Sequence, residues 1–95
     1  MRYVEIIEVR AQGRHRLTLE SHLNLLLKDD HYKHEVSIFY NSHFKDDISL
    51  HLVNESKEIG QNGSALGMHL ASALKNFGIV NHTIWIRKQP TEKTK

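Results

Sequence analysis

The sequence predicts an α+β domain in the order β-α-β-β-α-β, an antiparallel sheet with two helices on one face. Three observations lead there. Four segments alternate or carry β-branched residues as strands do, and two segments place their apolar residues at helical spacing. A polar stretch, NSHFKDD, joins the two middle strands closely enough to make them a hairpin.

Strand one runs from Tyr3 to Arg10, with Val4 and Ile6 on one parity and Ile7 and Val9 on the other. A central strand buried on both faces, or a bulge between Ile6 and Ile7, accounts for both parities. Gly13 in AQGRHR ends that pattern. Leu19, Leu23, Leu26 and Leu27 then paint one face of a helix that Thr18 is expected to cap, with Asp29 and Asp30 at or beyond its end. The hairpin strands follow, Val36, Ile38 and Tyr40 alternating with Ser37 and Phe39, and Ile48, Leu50 and Leu52 alternating with Ser49, His51 and Val53. Helix two carries Leu66, Leu70, Ala73, Leu74 and Phe77, and Gly78 stands where a helix-terminating glycine belongs. The last strand, from Val80 to Lys88, sets His82, Ile84 and Ile86 against Asn81, Thr83, Trp85 and Arg87. Residues 1–89 therefore read as a single domain of ferredoxin-like arrangement, and residues 90–95 as a flexible polar tail.

Ninety-five residues suffice for one core without metal or disulfide staples. The absence of cysteine excludes disulfides, thiolate catalysis and cysteine-ligated zinc. No run of about 18 apolar residues is present, and MRYVEIIEVR lacks a signal-peptide core, so the expectation is a cytoplasmic protein with no membrane contact. Thirteen basic against eleven acidic side chains give a formal charge of only +2, which makes nucleic acid a poorly supported partner.

Metal and nucleophile signatures are weak. The topology sends Asp29 and Asp30 to one end of the sheet and Asp46 and Asp47 to the other, so the four do not converge. The eight histidines are scattered, and His31 and His34 straddle a loop and a strand start. His51 and His82 fall on opposite parities and are not expected to share a ligand; His82 points toward the helices. Ser37 and Ser49 have no base identifiable in the sequence. No metal and no cofactor is expected.

The stretch IGQNGSALGMHLASAL needs separate attention, because a G-x-x-G loop before an amphipathic helix is also the strand-clamping element of KH-type RNA-binding domains. Such a domain requires a helix before the loop. Here ISLHLV alternates as a strand, and the residues between the glycines are the uncharged Gln61 and Asn62. The favoured reading is a flexible connection that ends in an Asn62 or Ser64 cap.

Two surfaces remain for function. At one end of the sheet Arg10, Arg14 and Arg16 gather near the start of helix one, an anion-binding candidate. Acylphosphatases bind phosphate with the corresponding loop, but VRAQGRHR shares little with their signature beyond its Q-G pair. On the sheet face away from the helices, Phe39, His51, Val53 and Trp85 project together. An open aromatic face calls for a cover, and a second copy of the chain is the preferred one over stacked nucleic acid or a small ligand.

In order and size, and in ALGMHLASALKNF, similar to an A-x-x-x-H-x-x-S second-helix pattern, the chain resembles the dimeric α+β barrel superfamily, which includes antibiotic-biosynthesis-type monooxygenases. The resemblance implies paired sheets enclosing a pocket; some members are cofactor-independent oxygenases and others bind haem. The long NESKEIGQNG connection and the lack of a glycine after helix one depart from the pattern, and His69 takes no catalytic role from one matching position. The leading expectation is a homodimeric module for ligand binding or interaction, its ligand small and anionic or aromatic. The alternatives are a cofactor-independent monooxygenase-like enzyme and a single-strand nucleic-acid binder.

Overall fold

The computed structural model describes residues 2–11, 16–28, 35–44, 46–55 and 63–88. They form β1 (Arg2–Ala11), α1 (Arg16–Leu27), β2 (Glu35–Tyr40), β3 (Asp47–Glu55), α2 (Ala65–Leu74) and β4 (Gly78–Ile86). The strands make one antiparallel sheet in the order β2-β3-β1-β4, which is the ferredoxin-like topology. The helix cap expected at Asn62 or Ser64 is Ser64. The residues 12–15, Asp29, Asp30, His31, His34, Gly60, Gln61, Asn62 and the 90–95 tail lie outside the described residues.

β1 is the central strand. Its register runs without a skipped residue from Arg2 opposite Glu55 to Arg10 opposite Asp47, and from Tyr3 opposite Ile86 to Ala11 opposite Gly78. No bulge therefore separates Ile6 from Ile7, and the mixed parity of β1 reflects two faces that both carry apolar residues. Ile7 and Val9 point to the helices and are fully buried with Leu50 and Leu52 of β3, Leu19 and Leu23 of α1, and Leu66, Leu70 and Leu74 of α2. Val4 and Ile6 point to the opposite face and are half-buried.

Three local readings are corrected. Thr18 is not a cap, because α1 begins at Arg16 and takes Thr18 into its first turn. α2 ends at Leu74, with Lys75 in a right-handed cap conformation, and Gly78 opens β4 instead of terminating the helix. Phe77 lies in the turn between them, its N–H donating to the Leu74 carbonyl at 2.9 Å and its ring packed on the core. β4 itself is shifted two residues toward the N-terminus relative to the Val80–Lys88 expectation.

The helices cover the middle of the sheet and not its edges. On the helix side of edge strand β2, Val36 packs on the core, but Ile38 and Tyr40 stand 37% and 46% exposed. The β2–β3 turn is closed by Asn41, whose Oδ1 accepts from the N–H groups of His43 and Phe44 at 2.8 and 3.0 Å, while Asp47 N–H donates to the Phe44 carbonyl at 2.9 Å.

Candidate functional site

The face of the sheet opposite the helices can be read row by row from the strand register. Val53, Val4 and Trp85 form one row, Ser37, His51, Ile6 and Thr83 the next, and Phe39, Ser49, Glu8 and Asn81 a third. All four residues expected to share this face, Phe39, His51, Val53 and Trp85, are on it. Phe39 and Trp85 are 50% and 61% exposed, large for aromatic rings. Phe39 tilts against the His51 imidazole with ring centroids 4.5 Å apart. The Trp85 indole N–H is satisfied locally, donating to Thr83 Oγ1 at 2.9 Å.

His51 Nε2 also lies 3.1 Å from Ser49 Oγ, so Ser49 does have a base that alternation on one strand brings beside it. Among the described residues nothing hydrogen-bonds the other imidazole nitrogen, so the pair lacks the orienting third group of an activated nucleophile. Asp47 stands opposite Arg10 at the hairpin end, and Asp46 is beside it in the turn. Of the three arginines proposed to hold an anion, Arg10 is exposed at the end of β1, Arg14 lies outside the described residues, and Arg16 is described only as the first residue of α1. His69 is exposed on α2.

A second centre, not anticipated in the sequence, lies under the helices. Glu5 is fully buried on β1, and both carboxylate oxygens are used. Oε1 accepts from Ser64 N–H at 2.8 Å and lies 3.0 Å from His82 Nε2; Oε2 accepts from Asn54 Nδ2 at 3.1 Å and from the Ser64 hydroxyl. Ser64 Oγ in turn accepts from Gly67 N–H at 3.0 Å, which makes Ser64 the N-cap of α2. In a capping box the third helical residue sends a carboxylate back to the N-cap N–H. That residue here is Gly67, without a side chain, and Glu5 reaches in from β1 to supply the same bond.

The glycines make room for it. A Cβ at Gly67 would lie 2.7 Å from Glu5 Cδ, and one at Gly63 would lie 2.9 Å from it and 3.2 Å from His82 Cε1. Gly63 also has φ +89°, a conformation that other residues rarely adopt. The last glycine of GQNG is thus required both by backbone conformation and by the carboxylate packed against it. Burial, and then the Glu5 charge, push the Tyr3 phenol above its ordinary pKa. Asn54 Oδ1, also buried, has no hydrogen-bond partner.

The Glu5 centre was legible in part. Alternation from Ile7 and Val9 puts Glu5 on the core face, and His82 shares that side on β4; a glutamate among core positions demands donors, and a histidine two strand positions away is one. Ser64 and Asn54 enter only through the tertiary fold.

Among the described residues there is no group of three or more histidine, aspartate or glutamate side chains disposed to hold a metal ion, and no helix is long and apolar enough to cross a membrane. The chain matches no protein-family model, no curated protein and no solved structure with significance. Fold and site thus define a small ferredoxin-like α+β protein with one apolar open sheet face.

Proposed function

We propose that the domain works as a homodimeric binding module whose two copies pair through the open sheet face. The observation that carries this is the row Val53, Val4 and Trp85, with Ile6 in the next row, apolar across three strands and bare of any helix. Four strands at about 4.8 Å and nine residues at about 3.3 Å give the face on the order of 600 Å² before side-chain relief is counted. A stable interface buries roughly 800 Å² per partner, so the face is of the right scale. Among the described side chains this face carries Arg2, Arg10 and Arg87 against Glu8, Asp47 and Glu55, so no large net charge opposes pairing. The resemblance to dimeric α+β barrels points the same way.

A nucleic-acid clamp at GQNG is the less favoured reading. The positive end of α2, which would hold a phosphate, already holds the Glu5 carboxylate, and an incoming phosphate would meet a buried negative charge.

Light scattering on the purified protein tests the proposal. Twice the chain mass of 11.1 kDa is expected, and Trp85→Glu is expected to give monomers that retain the native circular dichroism spectrum. A monomer at every concentration reached, with Trp85 freely quenched by iodide, would overturn it.

A further inference from the structure

A cleft of about 590 Å³ opens at the hairpin end of the sheet, walled by Phe39, Phe44 and Ile79, with Glu8, Arg10 and Asp47 among its polar lining. From Val4 to Arg10 is six residues of β1, about 20 Å along the strand, so the cleft stands at the margin of the proposed pairing surface and not at its centre. Its size falls within the range of small-molecule sites, and it is formed by one chain.

The charges inside it choose the ligand. Arg10 lies between Asp47 on β3 and Ile79 on β4, and Glu8 follows on the same side of β1. Despite these neighbours Arg10 makes no ion pair with any described residue, leaving its guanidinium fork open to a carboxylate. Glu8 accepts one bond from Asn81 Nδ2, at 3.3 Å on Oε1, which leaves Oε2 for a cationic donor. An anion alone would face two carboxylates, and a cation alone would face Arg10. A ligand carrying both charges satisfies both, and the aromatic walls require an apolar body between or beside them.

We propose that this cleft binds a small zwitterion with an apolar side chain, of the class of free aromatic or branched amino acids. Arg10 takes the carboxylate, Glu8 with Asp47 takes the ammonium, and Phe39, Phe44 and Ile79 enclose the side chain. The inference deepens the binding role proposed above but does not depend on pairing.

Isothermal titration with phenylalanine, leucine, phenylpropionate and phenethylamine on the full chain tests it. Saturable binding of at least one of the two amino acids is expected. Phenylpropionate and phenethylamine should each bind at least about tenfold more weakly than phenylalanine or leucine, whichever binds, since each loses a charge-assisted bond. Arg10→Ala should weaken the amino acid about tenfold while phenethylamine, freed of a like charge, binds no more weakly than before, and Trp85→Glu should leave affinity intact. No saturable heat with either amino acid, equal binding of the single-charge analogues, or an Arg10→Ala chain that binds as before would each overturn the inference. Dimerisation that fails while phenylalanine or leucine still binds would overturn the pairing proposal alone.

Discussion

Glu5 Oε1 and His82 Nε2 stand 3.0 Å apart beneath the first turn of α2, joining residues 77 positions apart in the chain. The carboxylate is fully buried and the imidazole largely so, and the same oxygen receives the Ser64 N–H. The contact therefore fastens β1, β4 and the N-terminus of α2 at one point. A carboxylate in that position is stable only because each oxygen has two partners.

Replacing Glu5 by glutamine tests this directly. All four partners lie on the two oxygens, and Asn54 Nδ2, Ser64 N–H and the Ser64 hydroxyl are donors; whichever way a glutamine amide is turned, its NH₂ group confronts at least one of them. Glu5→Gln is expected to lower unfolding free energy by about 2–4 kcal/mol in urea titration. The exposed Glu8→Gln serves as comparison and should stay within about 0.5 kcal/mol.

Gly67→Ala reverses a familiar rule. An alanine in a helix normally stabilises it by about 0.5–1 kcal/mol relative to glycine. At Gly67 the new methyl group would press on the Glu5 carboxylate, and a loss of about 1–3 kcal/mol is expected. In a Glu5→Ala background the obstruction is gone, so the loss should shrink to less than half. A double-mutant cycle by chemical denaturation reads that coupling, and additive effects would contradict the packing argument.

The fold was legible because the periods were clear: ISLHLV alternates as a strand, and Leu66, Leu70 and Leu74 recur as a helix. The open face followed from parity alone, which is why Phe39, His51, Val53 and Trp85 group together on strand alternation without reference to the tertiary fold. Helix ends were less legible. Gly78 looked like a stop because glycine so often is one, yet Asn76 and Phe77 close the turn with ordinary backbone bonds to Ala73 and Leu74. Thr18 looked like a cap because caps are local, whereas at α2 the cap bond was completed from β1, a contribution that no local window contains. The Ser49–His51 pair was hidden for a simpler reason: i, i+2 spacing on a strand is common and carries no signal by itself.

Tyr3 gives the pH-dependent test. Its phenol is held above the usual value of 10.0 by burial and by the Glu5 charge, so the folded state keeps its proton where the unfolded chain releases it. The stabilisation is complete below the unfolded pKa and is lost as pH rises through the window between the two values. Tyrosinate absorbance should show a late-titrating phase, and Tyr3→Phe should remove that phase and flatten the alkaline fall in stability.

Ser64→Asp separates this cap from an ordinary one. Aspartate and serine are comparable N-caps in most helices, since either oxygen accepts the N2 or N3 N–H and a negative charge suits the dipole. Here the serine hydroxyl does two things, accepting from Gly67 N–H and donating to Glu5 Oε2. Aspartate can do only the first and sets a second carboxylate against the buried one. A loss of about 1–3 kcal/mol at neutral pH is expected, where Ser64→Ala, which removes both bonds but adds no charge, should lose about 1 kcal/mol. The cost of Ser64→Asp should be smaller in a Glu5→Gln background, measured against Glu5→Gln itself, because the amide NH₂ can donate to the aspartate that the carboxylate would have repelled.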